Sequence, residues 1–193
     1  DALPISSTIY ALGEESRKAV TRARDIIAAG VGAKPEEIYF TAGGSESDNW
    51  ALKATYEAYK SKGNHIITTK IEHHAILNSC AYLEKQGFEV TYLDVDEWGS
   101  IRLDVLEKAI RKDTILISVM YANNEVGTIQ KIAQIGKIAE KNDILFHTDA
   151  VQAYGHIPID VNRMNIDMMS ASAHKFNGPK GTGFLYVRKK KRI

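Results

Sequence analysis

Residues 37–60 read EIYFTAGGSESDNWALKATYEAYK, and this stretch indicates the class of fold. Residues 37–41 predict a β-strand, the glycines at 43 and 44 predict a tight turn, and residues 46–60 predict a helix. A strand, a glycine turn and a helix in this order form the repeating unit of an α/β protein. We therefore expect the rest of the chain to alternate in the same way.

The hydrophobic pattern alternates along all 193 residues, with no internal repeat or linker. It predicts helices over 14–29, 75–86, 103–110 and 132–141, and strands over 65–69, 89–93, 114–119, 144–148, 166–171 and 183–187. We expect Gly30 to end the first helix, whose inward face should hold Ala19, Val20, Ala23, Ile26 and Ile27. Several strands are continuous apolar runs, which is typical of sheets with helices on both faces. The pattern predicts an α/β protein, a three-layer α/β/α sandwich with a mostly parallel sheet.

Composition excludes several classes of protein. Hydrophobic residues make up 44% and charged residues 25% of the chain, a balance typical of globular rather than disordered proteins. The net charge is +1, and five of the bases lie within residues 188–193, which we expect to be a solvated tail. The remainder is mildly acidic, so no nucleic-acid partner is predicted. No apolar run is long enough for a membrane span, and the single cysteine, Cys80, indicates a reducing compartment, which favours the cytoplasm.

Polar side chains follow several of the predicted strands. In mostly parallel sheets ligands bind at the carboxyl ends of the strands, and the loops there cover residues 43–45, 72–74, 122–125, 149–152 and 172–175. The first of these loops precedes a helix and offers backbone N–H groups and the Ser45 hydroxyl, which suit a phosphate group. It lacks the spacing of the nucleotide-binding motifs. A simple glycine turn with Ser45 as the N-cap is the alternative.

Two further residues suggest cofactor chemistry. Asp149 ends an apolar strand, where a cationic ring nitrogen would offset its desolvation, although it could equally cap the following turn. Lys175 lies between small residues and a glycine-proline turn, which could hold it partly desolvated with a lowered pKa, ready to form a Schiff base; the alternative is a solvated lysine. Ser172 and His174 could bind a phosphate, and His73 could stack on an aromatic ring. Together these groups match what pyridoxal phosphate requires.

A metal hydrolase is a weaker alternative. Its ligands would come from five histidines and one aspartate: His65, His73, His74, His147, His156 and Asp149. Their spacing fits no known ligand pattern, and adjacent histidines point in different directions on most backbones. No metal site is predicted.

Five strings carry a resemblance to a known family. They are TAGGSESDN at 41–49, EHHAIL at 72–77, NNEVG at 123–127, HTDAVQ at 147–152 and SAHKFNGPKG at 172–181. In order and spacing the chain resembles the class V aminotransferase group of fold-type I pyridoxal 5′-phosphate (PLP) enzymes, and within it the NifS/IscS-like cysteine desulfurases. Gly44 stands where alanine is common in that family, and Ser45 where threonine is common; we expect phosphate binding to survive both changes.

The resemblance implies a role for each candidate site residue. Lys175 would form the Schiff base with PLP, Asp149 would pair with its ring nitrogen, and His73 would stack on its ring. Gln152 would hydrogen-bond the ring hydroxyl, and Asn124 would lie near that hydroxyl and the substrate carboxylate. The phosphate would be held by four residues: Gly44, Ser45, Ser172 and His174.

The resemblance also implies a reaction. Cysteine desulfurases convert L-cysteine to L-alanine and pass the sulfur to a protein thiol, for iron–sulfur cluster assembly or tRNA modification. They act as homodimers with a sulfur-acceptor or scaffold protein. The nearest alternatives share the lysine and the aspartate: selenocysteine lyases, kynureninases and small-substrate aminotransferases.

The printed chain ends 18 residues after Lys175. The family's nucleophilic cysteine lies well beyond that point, and Cys80, predicted in the middle of a helix, does not replace it. We therefore expect residues 1–193 to be a single PLP-binding large domain, a fragment without the family's opening segment before Pro4 and without its C-terminal small domain. An inert PLP-binding domain is the alternative function for these residues alone.

Overall fold

A computed structural model describes residues 11–189 and shows one seven-stranded sheet between two layers of helices. The helices are α1 (Ala11–Val31), α2 (Gly44–Tyr59), α3 (His74–Glu84), α4 (Leu103–Ala109) and α5 (Ile132–Lys141). The strands are β1 (Ile38–Thr41), β2 (His65–Thr69), β3 (Glu89–Leu93), β4 (Thr114–Ser118), β5 (Leu145–Asp149), β6 (Met168–Ser172) and β7 (Gly183–Val187). Short 3₁₀ turns cover Pro35–Glu37 and Ala173–Phe176.

The strands lie in the order β1-β7-β6-β5-β4-β2-β3. The pairs β6–β5, β5–β4, β4–β2 and β2–β3 are parallel, and only β7 runs antiparallel to its neighbours β1 and β6. The predicted mostly parallel, three-layer α/β/α fold is thus confirmed. Because β1, β2, β4, β5 and β6 share one direction, the loops that follow them meet at one edge of the sheet.

Each face of the sheet is covered by helices. On one face, Leu52 of α2 and Ile76 of α3 pack with Leu116 of β4 in a buried cluster. On the other face, Leu106 of α4 and Ile135 of α5 join a second cluster that includes Ile117, Phe146 and the end of α1. Burial on both faces explains why the strands are continuous apolar runs.

The inward face predicted for α1 is confirmed at Ile27 and wrong earlier in the helix. Ala19 is exposed, and Val20 and Ile26 are 38% and 62% exposed, whereas Ile27 packs against the core and Ala28 and Val31 belong to it. Only the last turns of this helix lie over the sheet, so an apolar stripe earlier in the helix has no core to enter. The predicted end at Gly30 is also wrong, because the helix continues to Val31 and the chain turns at Gly32, with a φ of 70°.

Two strands end later than predicted, and the difference concerns the candidate site. Asp149 pairs with Ser170, and Ser172 pairs with Gly183, so both polar residues belong to the sheet itself. The hydrogen-bonded ladder, rather than a loop, therefore fixes their backbones.

The basic run at the end of the chain is not all solvated. The guanidinium of Arg188 donates to the carbonyl oxygens of Val161 and Ile166 at 2.8 Å and pairs with Asp167 at 3.3 Å. Residues 190–193 of that run, and the N-terminal residues 1–10 with Pro4, lie outside the described part of the chain.

Candidate active site

All nine candidate residues line one cavity of about 180 Å³ at the edge where the parallel strands end. They are Gly44, Ser45, His73, Asn124, Asp149, Gln152, Ser172, His174 and Lys175. Asp48, Met120 and Val151 complete the lining. Residues from five separate loops and strand ends are thus brought together, while their individual roles remain predictions.

One end of the cavity is the amino terminus of α2. The N-cap is Gly43, whose φ of 152° is a conformation that favours glycine. Its carbonyl oxygen accepts from the hydroxyls of Thr41 and Ser47, both at 3.1 Å, which fixes the turn. Ser45 therefore lies in the first turn of the helix and does not cap it. The first backbone N–H groups of a helix lack partners within the helix and favour an anion.

Gly44 is required by its surroundings. A Cβ added to it would lie 2.5 Å from Cγ2 of Val151 and 3.6 Å from Cβ of Ser172. Val151 thus fills the space that an alanine, common here in the family, would need. Glycine at 44 and valine at 151 are therefore matched in this chain.

Ser172 and His174 stand beside that helix end. Ser172 is buried at the end of β6, and its Oγ lies 2.9 Å from Nδ1 of His174, which orients the imidazole. This arrangement places a hydroxyl and an imidazole next to the N–H groups of α2, a donor set that suits a phosphate group.

Lys175 is exposed, so the expectation that it is partly desolvated is wrong for this chain. The physical reason is its position on the 3₁₀ turn beyond β6, outside the sheet. Its backbone is nevertheless fixed: Nε2 of His156 donates to its carbonyl oxygen at 2.8 Å, and the N–H of Gly178 donates to the carbonyl oxygen of Ala173 at 2.8 Å. This turn, with its backbone fixed by both hydrogen bonds, places Lys175 in the lining of the cavity.

The opposite end of the cavity is acidic. Asp149 is 5% exposed, and its Oδ1 accepts from the N–H of Val151 at 2.9 Å. It caps the turn and lines the cavity at the same time, so the two sequence interpretations are compatible. Burial raises the pKa of Asp149, while the Val151 N–H and the imidazole of His73 act in the opposite direction.

His73 forms part of the wall above Asp149. It is the N-cap of α3, and its Nδ1 accepts from the N–H of Ala75 at 3.1 Å. This bond holds the ring in place. Across the cavity Asn124 is exposed and Gln152 is half-buried. The loop of Asn124 is held by its neighbour Asn123, whose side chain donates to Ile71 and accepts from two backbone N–H groups.

Sequence reasoning missed two buried acids. Asp48 lies one helical turn after Gly44, so the i, i+4 spacing on α2 could have indicated it. Glu72 was noticed as part of a strand-end loop and of a motif string, but no role was predicted for it. Its Oε1 accepts from Oγ1 of Thr69 at 2.7 Å and from the N–H of Met120 at 2.9 Å, and burial raises its pKa to about 8.

The donor set fits PLP. At the acidic end Asp48 and Asp149 line the cavity and Glu72 lies nearby, and Oδ1 of Asp48 is a buried oxygen with no hydrogen-bond partner. A negative charge buried at this end, such as an ionised Asp149, needs a positive partner, and a protonated ring nitrogen would supply one. The α2 end, with Ser45, Ser172 and His174, suits a phosphate. Among residues 11–189 no group of three or more His, Cys, Asp or Glu side chains could hold a metal ion.

Comparison with known proteins agrees with this geometry. The family model described as Aminotransferase class-V matches residues 2–192. A cysteine desulfurase IscS from Methanosarcina thermophila is 60% identical over 183 residues, covering 95% of this chain and 45% of that protein.

Solved structures give the same result. A structure of SspA in complex with cysteine matches with a TM-score of 0.93 at 47% identity, covering 97% of this chain and 54% of that one. A NifS-like protein matches with a TM-score of 0.94 at 43% identity, covering 97% of this chain and 52% of that one. The chain therefore spans about half the length of the proteins it matches. As its motifs predict, the chain belongs to the aminotransferase class-V family and is similar to cysteine desulfurases within it.

Proposed function

We propose that residues 1–193 form the large, PLP-binding domain of a cysteine desulfurase, which converts L-cysteine to L-alanine and passes the sulfur to a protein thiol. The observation that carries the proposal is the cavity in which Lys175, Asp149 and the amino terminus of α2 meet. Similarity to a cysteine desulfurase over 95% of the chain favours this reaction over others of the family. The family is PLP-dependent, and PLP supplies an aldehyde that binds amino groups and a ring that withdraws electrons from the bond to be broken.

The two ends of the cavity would orient the cofactor. The phosphate would be held at the α2 end by the N–H groups of Gly44 and Ser45, the hydroxyls of Ser45 and Ser172, and the imidazole of His174. At the other end the carboxylate of Asp149 would keep a proton on the ring nitrogen, because an adjacent negative charge favours the cationic form.

Three side chains would act around the ring. Nζ of Lys175 would bind the cofactor covalently. Once the substrate amine had displaced it, the free amine of Lys175 would hold or move a proton where the substrate joins the cofactor. The ring of His73 would stack on one face and exclude water from it. Gln152 would donate a hydrogen bond to the ring hydroxyl, and the Asn124 amide would contact both that hydroxyl and the substrate carboxylate.

Cys80 does not suit the sulfur-accepting role. It is fully buried in α3, and burial raises the pKa of its thiol to about 12, so a thiolate is strongly disfavoured. It is the only cysteine in the printed sequence. We therefore propose that the accepting thiol lies outside these 193 residues, and that taken alone they bind cofactor without turnover, the inert alternative.

Partners and location follow from the same proposal. We propose a homodimer, a sulfur-acceptor or scaffold protein as partner, and a place in the cytoplasm, supported by the single reduced cysteine. No nucleic-acid partner is proposed. None of the helices within residues 11–189 is long and apolar enough to cross a membrane.

The experiment measures products from L-cysteine in the longer protein that we propose. With dithiothreitol present to reduce the persulfide, alanine and sulfide should form together, and Lys175→Ala should abolish both. Alanine from selenocysteine alone, or transfer of the amino group to a keto acid, would contradict the desulfurase proposal. In the 193 residues alone, turnover that depends on Lys175 would contradict the inert alternative.

A further inference from the structure

Asp48 is a buried acid that the proposed mechanism does not use. It lies on α2, is 1% exposed and lines the cavity beside Asp149. Its Oδ1 lies 3.8 Å from Nε2 of His147 and has no hydrogen-bond partner. The hydroxyl of Ser170 on β6 is near enough to lower the pKa of Asp48 when it acts as a hydrogen-bond donor.

His147 does not neutralise Asp48. Both of its ring nitrogens are engaged by hydroxyls, Nδ1 at 2.9 Å from Oγ of Ser118 and Nε2 at 3.0 Å from Oγ of Ser170. The ring is completely buried, and this burial lowers the pKa of His147 to about 3, so the imidazole is neutral at pH 7. The other titratable groups that act on Asp48 are the acids Asp149 and Glu72, and Asp149, which has the larger effect, opposes a second negative charge.

The two neighbouring aspartates differ in what surrounds them. Asp149 receives a backbone N–H from Val151, a donor that favours the ionised form, and the imidazole of His73 adds to this effect. Asp48 has only a hydroxyl, which can as well accept a hydrogen bond from a protonated acid. Burial raises the pKa of Asp48 well above its ordinary value, the charge of Asp149 raises it further, and the hydroxyl of Ser170 offsets only part of this rise.

We propose that Asp48 is a positioning residue that holds the one proton shared by the Asp48–Asp149 pair, so that Asp149 alone carries negative charge at the cavity floor. The hydrogen bonds then run in one direction: Asp48 donates to Ser170, Ser170 donates to Nε2 of His147, and Nδ1–H of His147 donates to Ser118. This series of hydrogen bonds links α2 to three strands beneath Asp149. Its meaning for a cofactor nitrogen rests on the proposed function, since one negative charge matches one protonated nitrogen.

The test uses the chain without cofactor, so it does not depend on the proposed function. Aspartate labelled with ¹³C at the side-chain carboxyl shifts the aspartate bands in an infrared spectrum away from those of glutamate. At pH 7 the unaltered chain should show the carbonyl band of a protonated aspartic acid. The band should be lost in Asp48→Asn and retained in Asp149→Asn. Absence of this band in the unaltered chain would overturn the proposal, and that measurement needs no variant. The proposal would also be overturned if Asp149→Asn lost the band while Asp48→Asn retained it.

A pH titration separates this role from a purely structural one. If Asp48 is already neutral when Asp149 ionises, Asp48→Asn should leave the Asp149 midpoint unchanged and remove only the step at higher pH. A shift of the Asp149 midpoint to lower pH in Asp48→Asn would show that both acids are charged together and would overturn the proposal. Failure of Lys175 to bind PLP would count against the proposed function and leave these results unaffected.

Discussion

Glu72 offers a sharp test of the buried acids around the cavity. Folding raises its pKa from 4.5 to about 8, chiefly through burial. As the pH rises through this interval, Glu72 ionises in the unfolded chain but stays protonated in the folded chain. The stability that the chain has below pH 4.5 therefore decreases steadily until about pH 8. Each pH unit within this interval lowers the free energy of unfolding by about 1.4 kcal/mol. Glu72 should therefore reduce the free energy of unfolding by about 5 kcal/mol across the interval, as an order of magnitude.

Glu72→Gln should remove this loss. The Gln amide oxygen can still accept from Thr69 and Met120, so the link between the ends of β2 and β4 is kept while the ionisable group is removed. Urea unfolding at about pH 5 and about pH 8.5 measures the free energy of unfolding of both proteins. Asp48 is present in both, so its own contribution to the pH dependence cancels to first order. At the lower pH the two proteins should be nearly equal, and at the higher pH the variant should be more stable by several kcal/mol.

The matched control is Glu107→Gln on the exposed surface of α4. It should leave the dependence of stability on pH close to that of the unaltered chain, because surface substitutions change stability by about 0.5 kcal/mol or less. Equal pH slopes for Glu72→Gln and the unaltered chain would refute the reasoning, since they would mean that Glu72 ionises in the folded state as it does in the unfolded one.

Three further predictions concern single positions. Gly44→Ala should destabilise the chain by about 1–3 kcal/mol in urea unfolding because its Cβ meets Val151, and Val151→Ala in the same chain should restore most of the loss; no rescue would contradict the steric explanation. Asp149→Asn should weaken PLP binding roughly 30-fold or more in an absorbance titration, as expected when a buried charge loses its partner, and an unchanged affinity would exclude it as the partner of the ring nitrogen. Cys80 should react with a thiol reagent only after unfolding, because the thiol is buried and its pKa is raised to about 12; rapid reaction in the folded chain would contradict its structural role.

Much of the fold could be predicted because its signals are local. The apolar runs at β2 and β4 and the glycine turn before α2 are visible in short stretches of sequence, and the cavity follows from the shared direction of the strands. The face of α1 could not be predicted in this way. Periodicity shows that a stripe of apolar residues exists, but the tertiary fold decides that it reaches the core only near the end of the helix, at Ile27, Ala28 and Val31.

The candidate site shows the same division. Residue type and motif order predicted nine of the residues that line the cavity. Asp48 and Glu72 escaped notice because their importance comes from burial and from the charge of Asp149 nearby, which a linear sequence does not display. The environment of Lys175 was also misjudged, because the 3₁₀ turn that follows β6 carries its side chain outside the sheet, where it is exposed.

The most direct measurement of the central claim is reduction with borohydride after PLP is added to the chain, followed by peptide mapping. The account predicts a label at Lys175, absent in Lys175→Ala and retained in Lys180→Ala, the exposed lysine that follows on the same segment. Labelling spread over several surface lysines, or a label on Lys180 that survives Lys175→Ala, would contradict the claim that this cavity binds the cofactor.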